Sequence, residues 1–453
     1  MRKIAIIDFA TSEVVRGSFG YDSYLLYSAL KLNPKMEVDM YEDATPFKLH
    51  RMDKKYDEYI IHFWSYPQIE SVLWSQYNFK GTISFIGYKP LIDKHKLKHC
   101  TYWTKENLLK GMQNLPNIYK DMKYGLMSDC SLHIKDDDKR PVMPLFTSYG
   151  CPNNCKFCPI PANRGHLGKD KRVFLDNNAL YDALNKAFIG NNNVHLCDED
   201  IFVNVDWANK VIEYLIVIQD AYKIAGNKPF KWIALGSINT FYNYIKKYGK
   251  EKLIQSGCHL IELGIEAKDE LLRKSMNKTG TFEQVDFIIN NTKEINKFWL
   301  TVTFFPGETI TTLNIMGDWL RIHGTQPNML EERLITNGFV GGLGQMYQPY
   351  DGTIDFDTLP SKGMILTNRP VRLIPSYIPY SFLECRPIKT DKKFDFNDVK
   401  WFNTYNIRYK DYNHLIFNGR NKVATFWKTY GDIKIMIYIA LMARLGYIKE
   451  AKE

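Results

Sequence analysis

The stretch TSYGCPNNCKFCPIPANRG (Thr147–Gly165) places Cys151, Cys155 and Cys158 in one turn-rich loop behind a glycine. Three thiols cannot all pair off as disulfides. They are also one ligand short of the four that a structural zinc site uses. The spacing Cys-x-x-x-Cys-x-x-Cys therefore predicts a metal or iron–sulfur site in which one coordination position stays open for a substrate or cofactor.

The composition is that of a soluble globular protein. The chain has 453 residues, of which 45% are hydrophobic and 24% charged, and this length predicts two or three domains. No apolar run is long enough to cross a bilayer and no signal-peptide pattern opens the chain, so we expect a cytoplasmic location and no membrane partner. Thiols stay reduced there, which favours metal or redox chemistry over disulfides. Five further cysteines stand singly, as small core residues do: Cys100, Cys130, Cys197, Cys258 and Cys385.

The net charge is +10 at pH 7. It has two interpretations, a nucleic-acid partner or lysines spread over solvated faces.

Residues 1–115 alternate between strand-like and helix-like patterns. Lys3–Phe9 is a short apolar run suited to a buried parallel strand, and Asp22–Leu32 has helical periodicity. Thr104–Leu115 reads as a closing helix. This alternation predicts a small open parallel sheet covered by helices, followed by a polar linker over residues 116–140.

Residues 141–340 repeat a strand followed by a helix six times, which predicts a barrel or partial barrel with its chemistry at the carboxyl ends of the strands. The six predicted strands are Val142–Ser148, Asn193–Asp198, Lys231–Ile238, His259–Glu266, Phe298–Phe305 and Arg333–Val340. The cysteine loop follows the first of them. Residues 341–453 lose the pattern and are expected to form an irregular, helix-rich C-terminal extension.

With Phe157 just before the third cysteine and the loop placed after a first barrel strand, the sequence resembles the radical SAM superfamily. The resemblance implies a partial six-unit β/α barrel in which Cys151, Cys155 and Cys158 hold a 4Fe–4S cluster. In that family the open iron binds S-adenosylmethionine, and one electron cleaves it to a 5′-deoxyadenosyl radical that abstracts hydrogen from substrate. It further implies a small-molecule or nucleotide substrate and a flavodoxin- or ferredoxin-type electron donor. A nucleic-acid-binding protein whose cysteine loop is a metal clip, with His166 as the nearest fourth ligand, is the alternative from another class.

The segment CDEDIFVN (Cys197–Asn204) resembles the acidic segment that follows the second strand in cobalamin-type radical SAM proteins. The resemblance implies that Asp198, Glu199 and Asp200 meet the ammonium or the ribose hydroxyls of S-adenosylmethionine. A helix cap with a solvated turn is the alternative interpretation of these three carboxylates.

Other strand ends carry further candidates for cofactor binding. Glu266 ends the fourth strand, where the resemblance implies contact with the adenosyl group. Ser237 and Asn239 follow the third strand, and FFPGET (Phe304–Thr309) matches the fifth-strand turn, with Pro306 beside the adenine. Phe157 is also counted among the cofactor-binding residues.

RGSFGYDSYLLYSALK (Arg16–Lys31) looks like the first loop and helix of a cobalamin-binding domain, but two features depart from that pattern. Tyr88 stands where a second glycine belongs, and Asp8–Gly17 has no histidine. Cobalamin is therefore a doubtful cofactor. Two reactions stay open, methylation of an unactivated carbon through methylcobalamin and cobalamin-free radical modification or rearrangement, including that of nucleotides or nucleic acids.

Overall fold

The computed structural model describes residues 1–9, 21–44, 49, 55–63, 75–76, 78–118, 142–163, 172–189, 193–303, 305, 312, 315–316, 319, 323, 345–346, 364–366 and 385–387. The predicted sixth strand, Arg333–Val340, lies outside these residues, as do Pro306 and His166.

Strands and helices alternate through most of the described chain. The strands are β1 Arg2–Phe9, β2 Met36–Ala44, β3 Glu58–Phe63, β4 Thr82–Gly87, β5 Val142–Leu145, β6 Ser148–Tyr149, β7 Val173–Phe174, β8 Asn193–Leu196, β9 Trp232–Ser237, β10 Cys258–Glu266, β11 Asn296–Thr303, β12 Gln345–Met346, β13 Met364–Leu366 and β14 Cys385–Pro387. The helices are α1 Asp22–Leu30, α2 Lys89–Lys94, α3 Lys105–Ile118, α4 Pro159–Asn163, α5 Asn177–Ile189, α6 Val205–Ile224, α7 Ile238–Tyr248, α8 Glu251–Gln255, α9 Glu270–Ser275 and α10 Phe282–Asn291, with a 3-10 turn at Ile201–Val203.

The first four strands form a sheet in the order β2-β1-β3-β4, and all three pairs are parallel. Ile4 and Ile6 of β1 are fully buried, and they pack with Leu26 of α1 in one core that also contains Cys100. β1 is buried on both faces because helices cover a parallel sheet on both sides. We call residues 1–118, this sheet with α1–α3, the N-terminal module.

The second sheet has six strands in the order β12-β11-β10-β9-β8-β5. The pairs β5–β8, β8–β9 and β11–β12 are parallel. The predicted parallel α/β architecture is confirmed, and its sixth strand is β12.

The first barrel strand is shorter than predicted. Val142–Ser148 divides into β5 and β6, and β6 pairs antiparallel with β7. The division falls at Thr147, whose amide donates to the Asp198 carboxylate 3.0 Å away rather than to a neighbouring strand.

Three helix starts in this region carry side-chain caps. Asn204 accepts from the amide of Trp207 at the start of α6, and Asp269 accepts from the amide of Leu272 at the start of α9. Thr281 and Gln284 form a capping box at the start of α10. The Asp269 cap places the start of α9 just after the end of β10, where Glu266 lies.

Contacts divide the chain into two compact units. The first comprises Met1–Asn154, Cys158–Glu262 and Gly280–Asn296, and the second Cys155–Phe157, Leu263–Thr279 and Lys297–Glu453. The predicted domain limits at 115, 140 and 340 stay predictions. No described helix is long and apolar enough to cross a membrane.

Candidate functional site

The cysteine loop begins where Gly150 turns the chain out of β6. Its φ of 95° lies in the left-handed region, which glycine adopts without strain. Cys151 follows and is 8% exposed, whereas Cys155 and Cys158 are half-buried. All three are thiols rather than disulfides.

The donor set fits an iron–sulfur cluster because thiolates are the usual protein ligands of such clusters. Burial, with the nearby Asp200 and Glu199 carboxylates, raises the pKa of Cys151 to about 12. The thiol must therefore lose its proton when it binds iron. In the described part of the chain, no three His, Cys, Asp or Glu side chains stand together as a ready-made metal site.

Asp198, at the carboxyl end of β8, binds the strand segment that leads into the cysteine loop. It is 1% exposed. It accepts hydrogen bonds from the Thr147 amide at 3.0 Å, from the Thr147 hydroxyl at 2.8 Å and from the Ser148 hydroxyl. Arg172 lies 3.5 Å from the same carboxylate and also donates to Ser148. In this structure Asp198 thus holds, by hydrogen bonds, the residues that precede Cys151.

Glu199 and Asp200 are bound by the protein in the same way. The Gly150 amide donates to Glu199 at 2.9 Å, and burial raises the pKa of Glu199 to about 7. Asp200 caps the 3-10 turn by accepting from the Phe202 amide, and the Thr240 hydroxyl lies 3.0 Å from each of its oxygens. The three carboxylates therefore tie the end of β8 to neighbouring segments, and contact with S-adenosylmethionine stays a prediction.

Ser237 and Asn239 lie at the carboxyl end of β9 as predicted. The Ser237 hydroxyl lies 2.8 Å from that of Thr240, in a capping box at the start of α7. Asn239 accepts from Gln284 at 3.2 Å. Through Thr240, Ser237 is linked to Asp200, so the ends of β8 and β9 share one hydrogen-bond network.

Glu266 ends β10 in an unusual conformation. Its φ is 64°, in the left-handed region that a residue with a side chain occupies at a cost of about 1–3 kcal/mol. Its carboxylate lies 2.7 Å from the Lys278 ammonium, and the two side chains are 7% and 11% exposed. The surrounding structure thus holds a strained, buried ion pair at a strand end.

Gly264 leaves the space in which this ion pair lies. A Cβ at Gly264 would stand 2.6 Å from Glu266 Oε1 and 2.9 Å from Lys278 Nζ. A larger residue at this position therefore displaces the pair.

Part of the cysteine loop, Cys155–Phe157, belongs to the same compact unit as this ion pair and lies beside it. The Lys278 ammonium lies 5.7 Å from the centre of the Phe157 ring, a cation–π contact. Phe157 packs edge-on against Phe305 at 6.5 Å, and the Lys156 amide donates to the Met276 carbonyl at 3.0 Å. Phe157 and Glu266, both predicted to bind the cofactor, are thus brought together through Lys278.

The segment that carries the candidate site belongs to a known family. The sequence model of the radical SAM superfamily matches residues 145–320, a segment that contains the three cysteines, Asp198 and Glu266. Residues 145–320 are a radical SAM domain. Enzymes of this superfamily use a 4Fe–4S cluster and S-adenosylmethionine, and need a substrate and a reductant.

Solved structures share the fold of this chain. The radical S-adenosylmethionine methyltransferase TsrM from Kitasatospora setae, with cobalamin and a [4Fe–4S] cluster bound, has a TM-score of 0.59 at 10% identity, covering 94% of this chain and 89% of that one. The cobalamin-dependent radical enzyme OxsB, with aqua-cobalamin and S-adenosylmethionine bound, has a TM-score of 0.53 at 14% identity, covering 100% and 74%. A search of curated protein sequences found no significant match.

Sequence reasoning missed two basic residues of the radical SAM domain, Arg172 and Lys278. Arg172 stands in the charged run KDKR, which is typical of a solvated loop, yet its side chain is 5% exposed. Lys278 follows Asn277, whose φ of 58° makes the turn after α9. The run NKTG was a turn signal at this point, but it does not reveal that the lysine points inward.

Proposed function

We propose that this enzyme cleaves S-adenosylmethionine reductively and uses the resulting radical to abstract hydrogen from a small-molecule or nucleotide substrate. The cluster would be held by Cys151, Cys155 and Cys158, and when bound it supplies the electron for the cleavage. The observation that supports this most is the position of the three thiols, in the loop that follows β5 and β6 and inside a segment matched by the superfamily model.

The protein's own residues would supply position and exclusion of water. Thr147, Ser148 and Gly150 are each bound by a carboxylate from the end of β8, so the chain enters Cys151 along a fixed path. The three acidic residues thus keep a role in the site, acting through the loop. These groups are buried, and hydrogen bonds in a dry environment are stronger than in water.

For S-adenosylmethionine we propose a binding surface built from Glu266 and Phe157, with Pro306 from the adjoining turn. A carboxylate such as Glu266 can accept from ribose hydroxyls, and Lys278 keeps it in place at 2.7 Å. The left-handed backbone at Glu266 supports a functional assignment because strained residues cluster at ligand sites.

Cobalamin-dependent methylation is the second candidate, supported by the fold likeness to TsrM and OxsB, which extends over the N-terminal module. Tyr88 opposes it. Tyr88 is fully buried directly after β4, and in the cobalamin-domain pattern that the sequence resembles this position is a glycine, which would leave room for a nucleotide tail. The described edge does not fit a tail at this point, so no step of the proposed reaction is assigned to cobalamin.

Hydroxocobalamin reconstitution decides this second candidate. We expect the desalted wild-type protein to show no stoichiometric corrin absorbance. Retention by the wild type would establish cobalamin binding, and gain of retention in Tyr88→Gly would identify the tyrosine as the obstacle.

The main proposal is tested by anaerobic reconstitution with iron and sulfide, followed by assay of 5′-deoxyadenosine. We expect a brown protein that forms 5′-deoxyadenosine with a strong reductant, and no product in Cys151→Ala, Cys155→Ala or Cys158→Ala while circular dichroism stays unchanged. Cys100→Ala is the matched control, since Cys100 belongs to the core of the N-terminal module. Cleavage by any loop variant would exclude the assignment, and a colourless zinc protein would favour the metal-clip alternative.

A further inference from the structure

The cysteine loop is hydrogen-bonded to the N-terminal module on both sides of its three thiols. Before the thiols, the Tyr149 hydroxyl donates to the Asp22 carboxylate at 2.7 Å. After them, Asn163 accepts from the backbone amide of Lys89 at 2.8 Å. Two separate elements of the module, the starts of α1 and α2, therefore hold the two ends of one loop.

The first contact is buried and the second is part-buried, with its Asn163 acceptor inside the protein. Asp22 is fully buried, and Tyr149 and Asn163 are each 3% exposed. Aromatic rings surround the first contact: Trp103 lies 6.2 Å from the Tyr149 ring and packs edge-on against it. Hydrogen bonds in such surroundings are strong, and leaving one of their buried groups unpaired is costly.

The two contacts come from the same edge of the module. α1 follows β1 along the chain and α2 follows β4 directly, so both helices begin at the carboxyl ends of strands. Ligands of open α/β sheets bind at this edge. Here the Asp22 carboxylate and the Lys89 amide at this edge form hydrogen bonds with the segment that bears the cysteines.

We propose that the N-terminal module positions the cluster ligands, with Tyr149 and Asn163 as the positioning residues through which it acts. Bringing three thiols of a free loop to one cluster costs conformational entropy. Because both ends of this loop are already fixed by the N-terminal module, part of that cost is met before the cluster binds. This role goes beyond the proposed reaction and does not depend on cobalamin.

The test compares two variants that break these contacts with a control that breaks a contact of the N-terminal module away from the loop. Tyr149→Phe removes the hydroxyl and Asn163→Ala removes the acceptor. Gln113→Ala is the control, because Gln113 in α3 donates to Asp182 in α5 at 3.3 Å and does not touch the loop. Asp22→Asn is the conservative variant, since its amide oxygen still accepts from Tyr149.

The first measurement is hydrogen exchange of the peptide spanning residues 147–163 in cluster-free protein. The second is the rate at which a ferrous chelator removes iron from the reconstituted protein, and the third is the EPR spectrum of the reduced cluster. We expect about tenfold faster exchange and iron release in Tyr149→Phe and Asn163→Ala, the order of effect of one buried hydrogen bond, with altered EPR g values. Asp22→Asn and Gln113→Ala should match the wild type.

Rates in both loop variants equal to those of Gln113→Ala would overturn the proposal. If Tyr149→Phe shows no cooperative unfolding transition, Asn163→Ala decides alone. Because the exchange measurement uses cluster-free protein, its outcome is separate from whether the loaded enzyme forms 5′-deoxyadenosine.

Discussion

Lys278 reaches 2.7 Å from the Glu266 carboxylate while its ammonium lies over the ring of Phe157, one position before the third cysteine. One side chain thus contacts both the strand end proposed to bind S-adenosylmethionine and the loop proposed to bind the cluster. Removing the ammonium should affect the cofactor through Glu266.

We expect Glu266→Ala to weaken S-adenosylmethionine binding by about 1–3 kcal/mol, the loss for hydrogen bonds to a charged or buried group. Lys278→Met should weaken it in the same direction, and the double variant should be no worse than Glu266→Ala alone, because coupled neighbours are non-additive. Calorimetric titration of the reconstituted protein measures all three. Lys274→Met, an exposed lysine on α9, is the matched control. Additive losses would show that Lys278 acts independently of Glu266.

Gly264→Ala should displace the ion pair without unfolding the protein. The new Cβ would meet only the mobile ends of two side chains, Glu266 Oε1 at 2.6 Å and Lys278 Nζ at 2.9 Å. We expect weaker binding of S-adenosylmethionine with a loss of about 1 kcal/mol in the free energy of unfolding, at the low end for overpacking.

Gly226→Ala is the control for Gly264→Ala, because it adds the same methyl group out of contact with the ion pair. Its Cβ would meet nothing within 4 Å, but its φ of 71° strains any side chain. It should lose stability through the backbone and keep its affinity for S-adenosylmethionine. If Gly264→Ala also keeps full affinity, the ion pair is not part of the binding surface.

Arg172→Met should be strongly destabilising. It leaves Asp198 buried without the nearby cation and removes the donor to Ser148. The expected loss in the free energy of unfolding, read from denaturant titration, is about 3–5 kcal/mol for a broken buried pair. Lys186→Met breaks the pair with Asp182, whose side chains are 31% and 39% exposed, and should cost no more than about 1 kcal/mol. Equal losses in the two variants would contradict a structural role for Arg172.

Asp22→Asn should change how stability depends on pH. Burial raises the pKa of Asp22 to about 6, against opposing effects of His62 and the Tyr149 hydrogen bond. Between about pH 4 and about pH 6 the folded protein then binds this proton more tightly than the unfolded chain does, so Asp22 lowers stability as pH rises. An asparagine side chain does not bind this proton, so the stability of the variant lacks this dependence on pH.

The free energy of unfolding of Asp22→Asn, relative to wild type, should therefore rise by about 2.4 kcal/mol from pH 4 to pH 7. Parallel denaturant titrations at several pH values measure the difference. A constant difference between the two proteins would show that Asp22 has an ordinary pKa.

The second to fifth strands of the larger sheet could be predicted closely because apolar runs and strand ends are local signals. The fourth was expected at His259–Glu266 and begins one residue earlier. Glu266, the last residue of that strand, was identified in the same way. The first strand was predicted too long because Thr147 and Ser148 are strand-like in sequence, while Asp198, 51 and 50 residues away, takes their hydrogen bonds.

The partners of the site were harder to find. A basic residue in a polar loop looks the same whether it is buried or solvated, and its burial is decided by residues far along the chain. Arg172 meets Ser148 across 24 positions, and Tyr149 meets Asp22 across 127. Such pairings follow from topology and have no pattern in the sequence near either residue.

The contact between Trp103 and Tyr149 limits where this chain can be truncated. A fragment beginning after the N-terminal module would keep the whole segment matched by the superfamily model, yet it would expose Phe146 and Tyr149, which are now 0% and 3% exposed. It would also leave the Tyr149 hydroxyl without its acceptor. Residues 145–320 are thus a unit of sequence recognition but not a unit that can be excised intact, and protein engineers seeking a minimal catalyst should keep the first 118 residues attached.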